Sequence, residues 1–222
     1  MILARRQSLV AYRQLALWPS SQPESRSYRS RCFGSKAEPG NPPGEILIED
    51  HQEAIMNINQ ERLRSTISRI RDRLGYSTYD VNLYLVDDDV MKETNHETRG
   101  IDAPTDILSF PFHDAIKPGT LEDPEFDIPD MYSMGEMLVD VPYVIRRCEE
   151  DKASAEEDEE DRGVSGAMAK VYNPEVRIHM LLVHGMLHLV GHDHEEDDEY
   201  EIMVSEEEAI LKELGMLPKQ NS

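Results

Sequence analysis

The sequence predicts a domain that mixes helices with strands. Two kinds of apolar spacing carry that reading. Some segments alternate apolar and polar residues with a period of two, as half-buried strands do. Others repeat at three- and four-residue intervals, as helix faces do. Turn and cap residues separate them at Gly75, Asp87, Pro111, Asn173, Gly191 and Gly215.

Taken in order, Glu45–Glu49 alternates weakly and reads as a short strand. From Asn59 to Leu74 the apolar residues Leu63, Ile67, Ile70 and Leu74 form one helical stripe, and Gly75 is placed to stop the helix. Its outer face carries Arg62, Arg64, Arg69, Arg71 and Arg73 against Glu61 and Asp72. A solvated face is the plain reading; a phosphate-binding surface is the sharper one. Val81–Val86 alternates as a strand, and Asp87 can cap a short helix running to about Glu97. Asp106–Pro111 reads as a strand that Pro111 ends, because proline lacks the N–H a ladder needs. Residues 113–131 are acidic, contain prolines and read as a loop, and Gly135–Val139 reads as a further strand. Residues 142–162 open as a helix, then run into a stretch too charged to have a core-facing side.

The clearest element follows. Asn173 can cap a helix and Pro174 suits its first position. The helix is expected to run to Val190, with Gly191 as a left-handed terminator. Val176, Met180, Leu181, Val183, Leu187 and Val190 cover much of its surface, so it is expected to be central and buried. A last helix, Asp198–Leu214, closes at Gly215.

Within and after the central helix, four histidines lie in the eleven residues 184–194. His184 and His188 are four apart, so their rings share one face of a helix. Gly191 lets the chain reverse, which can bring His194 to the same point. Three neutral imidazoles can hold a zinc ion and leave a fourth coordination position open; nickel or copper would also suit such a set. His192 competes with His194 for the third place and ranks behind it. His179 falls on the wrong face and reads as structural, and His51, His96 and His113 show no partner pattern.

The layout His-x3-His-x2-Gly-x2-His is the spacing of metzincin proteases, which carry glutamate after the first histidine. Here that position is Gly185. Its plain reading is close packing against another element. Functionally, it removes the carboxylate that would activate water in a peptidase. Hydrolysis would then need another base, water activated by the metal, or a nucleophile of the substrate itself, such as the 2′-hydroxyl of RNA.

Charge divides the chain. Its formal net charge is −22, yet residues 1–44 hold seven basic and two acidic side chains. Residues 45–222 therefore hold 16 basic and 43 acidic side chains, a net of −27. The arginine- and serine-rich leader, with no acid before Glu24, reads as an organelle transit peptide over residues 1–33. Mitochondrion is the first choice and plastid the second, with Arg31-Cys32-Phe33-Gly34 placed as a processing site. Residues 34–44 read as a flexible linker, 45–217 as one domain and 218–222 as a tail. Cys32 and Cys148 do not make a disulfide framework and suit a reducing compartment. No run of about 18 apolar residues exists, so no membrane span is expected.

Two blocks resemble the YbeY family, single-strand-specific endoribonucleases that act in ribosomal RNA maturation. One is His184-Gly185-Met186-Leu187-His188-Leu189-Val190-Gly191-His192-Asp193-His194. The other is Asn95, then Arg99-Gly100, then Pro104-Thr105-Asp106-Ile107-Leu108-Ser109-Phe110-Pro111. Met203, Glu206 and Leu211 fit as well, and the resemblance spans residues 45–217. It implies an α+β fold: a small mixed sheet of about four strands packed with helices, with the metal-binding helix at its centre. It also implies one zinc ion on His184, His188 and His194, with Arg99 facing the metal as catalytic and substrate-binding residue. The implied substrate is single-stranded RNA, ribosomal RNA in particular, with ribosomal small-subunit proteins or assembly factors as partners. The chain departs from the family at Glu136 in the strand Gly135-Glu136-Met137, and at Asp140, where a carboxylate replaces a small residue near the expected cleft. The acidic stretches 113–131 and 149–162 are longer than a minimal member needs.

The resemblance conflicts with the acidic charge, since phosphate affinity comes mostly from lysine and arginine. Either the arginines at 62–73 and Arg99 form one basic cleft, or a partner delivers the RNA. Two other readings compete. A zinc peptidase is opposed by Gly185. A non-catalytic ribosome-assembly factor with a structural metal is opposed by the open fourth position.

Overall fold

A computed structural model describes residues 42–52, 55–153 and 168–216. The expected transit peptide, most of the linker, the C-terminal tail and the acidic run after residue 153 lie outside the described residues.

The chain folds as an α+β domain. In order it forms β1 (Ile46–Asp50), α1 (Gln60–Leu74), β2 (Asp80–Val86), α2 (Asp88–Arg99), β3 (Ile107–Pro111), β4 (Ala115–Lys117), β5 (Thr120–Leu121) and β6 (Ser133–Asp140). Then come α3 (Val141–Ala153), α4 (Pro174–Leu189) and α5 (Asp197–Leu214). Four strands make one mixed sheet in the order β1-β2-β6-β3. The β1-β2 and β2-β6 pairs are parallel, and β3 runs antiparallel to β6 with Ile107 opposite Val139 and Pro111 opposite Gly135.

The helix ends follow local chemistry. The side chains of Asn59, Asp87 and Asn173 each accept the backbone N–H three residues on, which satisfies an orphan donor at the helix start. The segment 113–131 is not only loop. It contains the β4-β5 hairpin, in which Ala115 pairs with Leu121 and Lys117 with Thr120. Strands of three and two residues are too short to show a period, so alternation could not reveal them.

Helix α4 lies at the centre. Twelve of its sixteen residues are buried, and it packs against β3, β6, α1, α3 and α5. Its polar side chains need partners there. Arg177 pairs with Asp151, and the His179 Nδ1 lies 2.9 Å from the Thr66 hydroxyl. Among the described residues no helix is long and apolar enough to cross a membrane. Cys148 is buried and carries a free thiol.

The arginines of α1 are turned to the domain's own groups. Arg62 bonds Glu175 at 2.8 Å, and Arg73 contacts Glu213 at 3.1 Å and Glu206 at 3.6 Å. Arg69 donates to the Glu213 carbonyl, and Arg64 to the Ile46 carbonyl. Arg71 is buried and donates to the carbonyls of Gly44 and Tyr79 at 2.8 and 2.9 Å. This face knits β1, α4 and α5 to α1.

Asp140 ends β6, fully buried, and its Oδ1 accepts the Tyr143 N–H at 2.9 Å to start α3. It stands three residues from Met137, so it points to the opposite face of the sheet from the residue that meets α4. It therefore joins Asp88 and Arg146 and adds no carboxylate to the histidine cluster. Burial pushes its carboxyl up to about 7, against the bond from Tyr143, while the Arg146 bond holds Asp88 below its ordinary value. An acid with a raised folded pKa binds its proton more readily folded than unfolded. Its contribution to stability is therefore lost as pH rises from about 4 toward 7. Asp140→Asn keeps the cap acceptor and cannot ionise. Thermal unfolding across pH is expected to show the variant close to the parent near pH 4 and more stable at pH 8, by up to about 4 kcal/mol.

Candidate metal centre

Helix α4 carries His184 and His188 one turn apart in its C-terminal half. At the helix end the Gly191 and His192 N–H groups bond the carbonyls of His188 and Leu187. Gly191 sits at φ 84°, and a Cβ there would stand 2.2 Å from the Ala115 Cβ. Both the reversal and the close pass of the β4-β5 hairpin thus require glycine. The reversal brings His194 back to the helix. One ring nitrogen from each of His184, His188 and His194 lies within 4.8 Å of the others.

The donor set fits a cation. The His188 Nδ1 lies 2.9 Å from the His192 carbonyl, so Nδ1 carries the proton and Nε2 presents its lone pair. Burial, then the neighbouring His184 and His194, push His188 down to about 3, so the ring stays neutral near pH 7. Its Nε2 faces the Nε2 of His184 at 3.1 Å. That contact is a hydrogen bond when the His184 Nε2 carries its proton, and a pair of lone pairs that can share a cation when the proton sits on Nδ1. A tetrahedral zinc with bonds of about 2.0–2.1 Å separates its ligand nitrogens by about 3.3 Å, close to this spacing.

Gly185 packs tightly. A Cβ there would lie 2.7 Å from Ile107 Cδ1, 2.7 Å from Met137 Sδ and 3.0 Å from Ser109 Oγ. The position faces β3 and β6, and glycine lets the helix approach the sheet. The structural and functional readings of Gly185 therefore coincide: the close approach leaves no room for a protease-type glutamate.

The other singled-out residues fall elsewhere. His192 is buried outside the cluster, with its Nδ1 unbonded and its carbonyl serving His188. His113 bonds the Met131 carbonyl, His51 bonds Glu49, and His96 lies in the last turn of α2. Arg99 is the last residue of α2, exposed, with Gly100 at φ 74° as the cap. The loop that follows is tied back by Asn95, whose Nδ2 donates to the Ala103 carbonyl at 2.7 Å. Glu206 faces Arg73, whereas its neighbour Glu207 is 1% exposed and places Oε1 3.8 Å from His184 Nδ1. Sequence reasoning passed over Glu207, although its place between Met203 and Leu211 on the i, i+4 ladder marked it as an acid on an apolar stripe.

Sheet, central helix and cluster together define an α+β domain with a three-histidine site able to hold a metal ion. The chain belongs to the endoribonuclease YbeY family, whose sequence profile matches residues 47–161 and 163–215. Human endoribonuclease YbeY is 31% identical over 169 residues, covering 76% of this chain and 88% of that protein. The endoribonuclease YbeY of Halalkalibacterium halodurans is 28% identical over 174 residues, 78% of this chain and 96% of its own. That of Lachnoclostridium phytofermentans is 30% identical over 181 residues, 77% and 98%. The family is one of nucleases, hydrolases that act on RNA.

Gly185→Glu would push a carboxylate into the seam between α4, β3 and β6. The variant is expected to lose more than about 3 kcal/mol of stability and to show no peptidase activity. Chemical denaturation and a casein digest would check both.

Proposed function

We propose that the chain is a zinc-dependent, single-strand-specific endoribonuclease acting in organellar ribosomal RNA maturation and ribosome quality control. The observation that carries this is the convergence of His184, His188 and His194 at the end of a buried helix, in a chain of an endoribonuclease family. These three residues would hold one zinc ion. When bound, zinc supplies Lewis-acid stabilisation of charge on a phosphoryl oxygen and activates water. Three protein ligands leave a position open to substrate, which favours catalysis over a structural metal.

The chain's own groups supply the rest. Arg99 would hold a phosphate with its forked guanidinium and stabilise the charge that develops on it in the transition state. Its place at the end of α2, beside a loop tied down by Asn95, supports a fixed backbone from which that fork extends. Gly185 supplies no carboxylate where a metzincin protease carries its base, so the nucleophile's proton goes to another base or to solvent.

The arginines of α1 are engaged within the domain, so a basic RNA track along that helix has little support. Delivery of the RNA by a ribosomal small-subunit protein or assembly factor fits an acidic body better. The leader supports a mitochondrial location, with plastid as the alternative.

Purified chain is expected to cut labelled single-stranded RNA. His188→Ala is expected to lose bound zinc and activity, and Arg99→Ala to keep its zinc and fold while losing cleavage by a factor of about 100 or more. All three preparations behaving alike would sink the nuclease reading. Separately, residues 1–44 fused to a fluorescent reporter are expected to direct it to mitochondria; diffuse fluorescence would overturn the transit-peptide reading.

A further inference from the structure

We propose that Glu207 is the positioning residue for His184, an inference that rests on the metal-site reading above. Glu207 lies on α5, 1% exposed, among Met203, Ile210 and Leu211, which are equally buried. A carboxylate in such surroundings is costly unless a partner compensates it. Its Oε1 has no hydrogen bond, and neither has the His184 Nδ1. The two orphans face each other across 3.8 Å, on the side of the ring away from the Nε2 that meets His188.

The geometry gives Glu207 a defined task. Imidazole has one proton to place when neutral, and the nitrogen without it carries the lone pair. A carboxylate beside Nδ1 draws the proton there and frees Nε2 toward the cluster. It also limits ring rotation and raises ligand basicity. His188 has the same arrangement from a different source, since its Nδ1–H is held by the His192 carbonyl. The two helical histidines are thus oriented from behind by unrelated groups, one backbone and one side chain. Glu207 touches neither the reacting atoms nor the substrate side, so its effect passes through His184. It also makes α5 part of the metal centre and not only a cover for α4.

The test uses the full chain and zinc alone, titrated against a competing chelator. Glu207→Leu removes the acceptor at similar volume, Glu207→Gln keeps an acceptor, and His184→Ala is the reference. Glu207→Leu is expected to bind zinc about 10- to 100-fold more weakly, with the Gln variant falling between it and the parent. Its metal-free Tm is expected to equal or exceed the parent's, because an apolar group replaces a buried carboxylate. A purely structural Glu207 would give the opposite pattern: a lowered metal-free Tm and unchanged affinity. A second measurement needs no variant. The ring nitrogen shifts of the zinc-loaded parent are expected to show the His184 proton on Nδ1. Zinc affinity of Glu207→Leu within twofold of the parent, or a proton on His184 Nε2, would overturn the assignment. If His184→Ala retained full zinc affinity, the triad reading would fail instead.

Discussion

Burying a polar helix is the constraint around which the domain is arranged. Helix α4 sits inside the core, yet it carries Arg177, His179, His184 and His188. Three of these draw a hydrogen-bond partner from different parts of the chain, Arg177 from Asp151 on α3, His179 from Thr66 on α1 and His188 from the His192 carbonyl in the turn, while His184 faces Glu207 on α5 at 3.8 Å. The helix is covered by apolar contacts, but its rotation and depth are set by these polar pairs. A rotation that suited one would strand another without a partner, at a cost of about 1–3 kcal/mol each.

Two glycines make that placement sterically feasible. Gly185 lets α4 press against Ile107, Ser109 and Met137, and Gly191 turns the chain past Ala115 so that His194 returns. The convergence of three rings is therefore a packing outcome as much as a matter of spacing. It brings together ring nitrogens that can share a cation. That arrangement is stable only because the surrounding layers hold it, as buried functional sites commonly are.

Electrostatics follow the same logic. The −22 chain spends its α1 arginines on its own acids and carbonyls, in places where α1 meets β1, α4 and α5. Buried Arg71 braces the domain from inside, bonded to the Gly44 and Tyr79 carbonyls. Arg62, Arg69 and Arg73 stay exposed while bonded to groups on α4 and α5. Asp140 shows a related shift, since one pleat of β6 turns its carboxylate away from the histidines and into a helix cap with Asp88 and Arg146 nearby.

By itself, the sequence determined what depends on neighbours along the chain. Caps at Asn59, Asp87 and Asn173, stripes such as Leu63-Ile67-Ile70, the apolar run of β2 and the His184-His188-Gly191-His194 spacing are local, because helix and strand periods act over a few residues. Only the tertiary structure decided what depends on facing elements. The β4-β5 hairpin is too short for a period to register. The choice between Glu206 and Glu207 turns on about 100° of helix rotation, which is set by where α5 docks on α4. The use of the arginines, the face of Asp140 and the proton on each imidazole depend on groups tens of residues away in the chain, brought near only by packing.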